Sequence, residues 1–177
     1  MTHEDRVQAV IDFGFTERQA RFLVLVMRHA GVCVPRQYAG FSGIANGGRR
    51  CNAFFERLIR RGYANDIGCV HNRARLYHLQ HKPLYHVIGD VASRYRRRVS
   101  PRLAVERLML LDAVLPMADL EWLTTAVEKA TSLARLSTAV GVDAPHEQPA
   151  GAPPGNARRL FSNFPIGLQP DGRVVLL

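Results

Sequence analysis

The chain has 177 residues, 47% of them apolar, and carries 24 Lys and Arg against 15 Asp and Glu, a formal net charge of +9. That describes one domain or somewhat more with a core of its own, and it excludes wholesale disorder. No apolar run reaches the ~18 residues that span a bilayer, so no membrane association is expected.

The first residues, Met1-Thr2-His3-Glu4-Asp5, are polar and acidic where a secretory leader would be basic and then apolar, so a cytoplasmic protein is expected. Three cysteines, Cys33, Cys51 and Cys69, cannot all pair and are too few for a disulfide framework, which fits a reducing compartment. The charge is concentrated: Thr16 to Arg102 holds 16 Arg and one Lys against four acids, whereas Leu103 to Asn156 is net −4. Of the 24 basic residues 22 are Arg, whose planar fork suits phosphate and guanine edges. A polyanionic partner is expected for the basic segment.

A short first helix is expected over Asp5–Phe13. Thr16-Glu17-Arg18-Gln19 has the form of a capping box, and Phe22, Leu23, Leu25, Val26 and Ala30 continue an apolar stripe that Gly31 stops. Pro35 then predicts a short helix over Pro35–Ala39 closed by Gly40. After a turn-rich stretch, with Asn46 as N-cap, Arg49–Arg61 reads as a third helix. Its apolar face is Cys51, Phe54, Phe55, Leu58 and Ile59; its other face is basic, and Gly62 is placed for a left-handed C-cap. Tyr63–Val70 and Ala74–Gln80 predict two strands joined at His71-Asn72-Arg73.

Helix, short helix, basic helix and β-hairpin, with the string RRCNAFFERLIRRGYA from Arg49 to Ala64, resemble a winged helix-turn-helix over residues 14–88. More narrowly, TERQARFLVLVMRHAGV together with this string is similar to the replication-relaxation type of proteins carried by plasmids and other mobile elements. The resemblance implies a double-stranded DNA partner, with the third helix in the major groove. Arg49, Arg50, Asn52 and Ala53 are then the base-facing candidates, and Arg57, Arg60 and Arg61 phosphate contacts. Arg36 and Gln37 would clamp the backbone from the second helix. His71, Asn72, Arg73 and Arg75 would reach flanking DNA from the wing.

Beyond the hairpin, Tyr95-Arg96-Arg97-Arg98 forms a second basic block, extended by Lys82, Arg94 and Arg102. Arg96 and Arg97 are candidates for further phosphate contacts. Pro101–Leu115 and Asp119 to about Ala139 predict a helical pair, the first with Ala104, Leu108, Leu111 and Leu115 on one side. The pair either packs as ordinary core or forms a homodimer seam over residues 101–139. Lone Trp122 is expected to be a packing residue.

Residues 141–157, rich in Pro, Gly and Ala, read as a flexible linker. Residues 158–177 read as a β-hairpin turning at Pro170-Asp171-Gly172. The apolar strand at the end suggests a fragment, with a further domain beginning near Phe161. In the replication-relaxation resemblance, Pro170-Asp171 matches a Pro-Asp step of a second domain. The expected layout is therefore 1–88, 89–140, 141–157 and 158–177, mainly α with a small β-hairpin wing, then a helical pair and a C-terminal β-hairpin segment.

No phosphate-cradling glycine loop, nucleophile elbow or paired-carboxylate motif is present, and the cysteines and histidines lack zinc-finger spacing. No catalytic residue, metal or cofactor is expected. The leading expectation is a non-enzymatic, sequence-specific DNA-binding protein, a transcriptional regulator or a mobile-element replication or maintenance factor. Two alternatives stand beside it: a winged-helix adaptor binding a protein partner in a larger complex, and the DNA-targeting part of a nuclease or relaxation protein lacking its active domain.

Overall fold

In the computed structural model, which describes residues 1–45, 48–68, 75–140, 165–169 and 173–176, the first two helices begin at capping boxes. The Thr2 hydroxyl accepts from the Asp5 amide, and the Asp5 carboxylate accepts from the Thr2 amide, starting α1 (His3–Ile11). Thr16 and Gln19 repeat the exchange at α2 (Glu17–His29). Each pair satisfies amides that the first helical turn leaves without partners. From Phe22 to His29 every α2 residue is buried, as befits a helix at the centre of a core. At Gly31 the backbone takes φ 69° and its amide donates back to the Val26 carbonyl at 2.7 Å, ending the helix.

The chain then makes β1 (Val32–Cys33), α3 (Pro35–Phe41), α4 (Gly48–Arg60), β2 (Ala64–Gly68) and β3 (Arg75–Leu79). Gly40, expected to close α3, continues it instead. The turn comes at Gly43 (φ 65°), where the Ile44 amide returns to the Ala39 carbonyl. The third helix falls within one residue of its expected ends, and Gly62 (φ 69°) closes it. Cys51, Phe54, Phe55 and Leu58 are buried; Ile59, expected among them, is 39% exposed. β2 pairs antiparallel with β3 from Ala64↔Leu79 to Gly68↔Arg75, and β1 pairs with the other edge of β3, giving the order β1-β3-β2. Asn46 and the hairpin tip, with His71, Asn72 and Arg73, lie outside the described residues.

An aromatic cluster holds these elements on α2. Tyr38 of α3 stacks on Phe54 of α4 at 4.2 Å between ring centroids, Phe55 stacks on Tyr77 of β3 at 4.3 Å, and Phe22 of α2 meets Tyr38 edge-on at 5.1 Å. Burying one such ring is worth roughly 1.5–3 kcal/mol, so α4 is firmly fixed by its inner side.

A further helix that the periodicity did not reveal, α5 (Lys82–Val87), follows the sheet and buries Leu84 and Tyr85. A 3-10 turn over Arg94–Arg96 leads to α6 (Pro101–Val114), which Ser100 caps by accepting from the Leu103 amide. α6 packs on α2 and β1. Its expected apolar stripe faces the core: Ala104 and Leu111 are buried in it, and Leu108 and Leu115 pack against it. The stripe of α6 is thus core. Arg107 of α6 donates to the Ala30 carbonyl and lies over the Tyr95 ring at 5.1 Å, while the Tyr95 carbonyl accepts from His78 Nε2 at 3.0 Å. Tyr95 closes tightly on the α2–β1 turn, since a Cβ at Gly31 would stand 2.2 Å from its carbonyl oxygen.

The fold is mixed α/β, mostly helical, with two small antiparallel sheets, and it divides into the units Met1–Ala118 and Asp119–Leu177. The second unit holds β4 (Glu121–Leu123), α7 (Ala126–Val140), β5 (Ile166–Leu168) and β6 (Val174–Leu176), with sheet order β4-β5-β6. This corrects the helix expected from Asp119. Residues 121–123 form a strand paired with 166–168, and α7 starts only after Thr125, which accepts from the Glu128 amide while the Glu128 carboxylate accepts from the Thr125 amide. The i, i+3 spacing of Leu120 and Leu123 is a helical step; the capping exchange decides where the helix begins. Trp122 is buried, as a packing residue should be. The C-terminal hairpin pairs as expected, Ile166↔Leu176 through Leu168↔Val174. The linker over 141–157 and Asp171 lie outside the described residues.

Candidate nucleic-acid interface

α4 turns its aromatic side inward, so its remaining positions face outward by helical geometry. Arg49, Arg50, Asn52, Ala53, Glu56 and Arg60 are exposed, and so is Arg61 just past the helix. Arg49, Arg50, Asn52, Glu56, Arg60 and Arg61 form no hydrogen bond or ion pair with any described residue. Four cationic side chains, one amide and one carboxylate are thus presented with their hydrogen-bonding capacity unspent.

An open groove runs along each side of this ridge. The larger, about 1050 Å³, lies between α4, the first turn of α2 and the end of α3, and is lined by Arg18, Arg50, Arg57 and Arg60 among others. The smaller, about 600 Å³, lies between α4, the start of α3 and β3, and is lined by Arg36, Asn52, Arg75 and Tyr77. Glu56 lines both.

The expected contact residues divide into those the structure leaves available and those it uses internally. Gln37 is buried, 3% exposed; its amide donates to the Leu108 carbonyl at 3.0 Å and to Asp112 at 2.9 Å, while its oxygen accepts from the Val34 amide. Its expected role as a backbone clamp is therefore corrected: Gln37 fastens α3 to α6. Arg36 remains largely exposed but pairs with Asp112 at 2.6 Å. Arg57 is half-buried, lies over the Phe15 ring at 5.2 Å and donates to the Gln19 side chain, the same oxygen that caps α2. It is a strut between two helices rather than a free phosphate contact.

Arg75 reaches the smaller groove from β3. Arg97 is exposed and Arg96 half-buried in the 3-10 turn, but neither lines a groove beside α4. Asn72 and Arg73 lie outside the described residues. Sequence reasoning passed over Arg18, whose guanidinium donates to the Ser42 carbonyl at 3.0 Å and lines the larger groove. Its position in the first turn of α2 carries no signal of that, because the groove wall forms only when the α3–α4 turn arrives.

The thiol within α4 has no exposed surface. Cys51 donates to the Pro35 carbonyl, and burial pushes its pKa up, so it stays protonated and inert. Burial raises Cys33 likewise, and it lowers His78 and His81. Among the described residues no group of three or more His, Cys, Asp or Glu is placed to hold a metal ion, and no helix is long and apolar enough to cross a membrane. Comparison with protein-family models, with curated proteins and with solved structures finds no match for this chain.

Proposed function

We propose that residues 14–88 form a winged helix-turn-helix that binds double-stranded DNA, with α4 in the major groove and the β2–β3 hairpin as the wing. The observation that carries this reading is the outer side of α4, where Arg49, Arg50, Asn52, Arg60 and Arg61 stand without partners among the described residues, between two grooves with arginines in their walls. The order α2, β1, α3, α4, β2, β3, with β1 beside β3, supports it.

In this reading the exposed Arg60, Arg61 and Arg75 help neutralise the two phosphate strands, which supplies affinity without sequence preference. Arg49, Arg50 and Asn52 read base edges, because guanidinium and carboxamide groups bond bidentately to guanine and adenine. The protein is non-enzymatic and cytoplasmic, a transcriptional regulator or a replication or maintenance factor of a mobile element. The test is a fluorescence-anisotropy titration of the full chain with duplex DNA at several salt concentrations. Neutralising about 5–8 phosphates gives a log-log slope of about −4.5 to −7. Absence of binding at low salt refutes the reading.

A further inference from the structure

We infer that Glu56 is a specificity-determining residue that accepts a hydrogen bond from a cytosine amino group in the major groove. The inference rests on the reading of α4 as the DNA-contacting helix and adds what the arginines alone do not specify. Glu56 is exposed and forms no hydrogen bond or ion pair with any described residue, although Asn52 and Arg60 stand four positions to either side on the same helix. It also lines the grooves on both sides of α4, which places it on the ridge between them.

Seated on a duplex, the groove walls face the two phosphate strands, and the ridge faces the base edges. A carboxylate on that ridge is repelled by phosphate and so weakens binding to DNA of arbitrary sequence. It also selects among bases. Guanine offers only the acceptors N7 and O6 at the major-groove edge, thymine offers O4 and a methyl group, and adenine sets its acceptor N7 beside its amino group. Cytosine alone offers an amino donor with no neighbouring acceptor, so an acceptor-only side chain is best matched there. Arg49, Arg50 and Asn52 favour guanine and adenine; Glu56 adds a cytosine one turn further along the helix.

The experiment is selection from a randomised duplex pool with the full-length wild-type chain, E56A and E56Q, together with titration on random duplex. Glu56 is exposed, and matching thermal midpoints will establish that the variants are folded. The expected result is a wild-type motif with a cytosine column that E56A flattens. Discrimination at that position then falls roughly fivefold or more, while binding to random duplex tightens. E56Q should shift the column toward adenine, which a carboxamide bonds bidentately. An unchanged motif in both variants, even with tighter random binding, overturns the inference and leaves the DNA-binding reading standing. A wild-type chain that binds no duplex overturns both.

Discussion

The two basic sides of the first unit use their arginines in opposite ways. Where α6 lies on the core, Arg36 pairs with Asp112, and Arg107 with the Ala30 carbonyl and the Tyr95 ring. Along the outside of α4, Arg49, Arg50 and Arg60 have none among the described residues. The supply of partners, rather than the density of charge, is what separates the two groups. Substitutions on the first side should therefore alter stability, and those on the second side DNA binding.

The largest effect is expected from Gly31→Ala on the first side. A side chain there meets both a left-handed backbone and the Tyr95 carbonyl, so chemical denaturation should show a loss of about 2–4 kcal/mol. On the second side, Arg49→Ala and Arg50→Ala should each weaken binding to the selected sequence by about 1–3 kcal/mol while moving stability by less than about 0.5 kcal/mol. Loss of stability without loss of affinity would reverse the assignment of the two sides.

Gln37→Ala sharpens the contrast within the originally expected DNA contacts. It strips partners from the Val34 amide and the Leu108 carbonyl, and should cost about 1–3 kcal/mol of stability with an unchanged salt slope in DNA binding. A pH series tests the burial of His78. Burial holds its folded pKa below the ordinary histidine value, against the bond to the Tyr95 carbonyl and with help from Arg107. The unfolded chain then binds the extra proton first as pH drops, so stability is full above roughly pH 6.5 and declines below it. His78→Gln should flatten that decline only in part, because His3 and His81 are lowered by burial in the same direction. Arg36→Ala, at the exposed end of its ion pair, should cost at most about 1 kcal/mol.

What the sequence made legible was local. Thr16 and Gln19 lie three residues apart, Pro35 acts on its own turn, and the two strands of the hairpin are neighbours in the chain that pair residue for residue from Ala64↔Leu79 to Gly68↔Arg75. The misreadings arose where a distant partner decides. Gln37 reads as a free polar residue in a first helical turn until Asp112, 75 positions away, accepts from it. Arg57 reads as one more basic residue of α4 until Phe15 and Gln19 of another element surround its head group. The stretch from Asp119 reads as helix because Leu120 and Leu123 stand a helical step apart, and only pairing with Ile166–Leu168 selects the strand. α5 is six residues long, too short for periodicity to announce.

The closure of Tyr95 and α6 over the α2–β1 turn has a practical consequence for anyone wishing to transplant the part of the chain that carries α4. The resemblance to a winged helix ends near residue 88, and a cut there would strip Gly31 of its cover, leave Gln37 with no amide acceptor on α6, and open to water the part of α2 on which α6 packs. Such a piece would expose a sticky apolar flank and be prone to aggregate. The portable part is the stretch ending at Ala118, which keeps Arg107 on the Ala30 carbonyl and the Tyr95 ring.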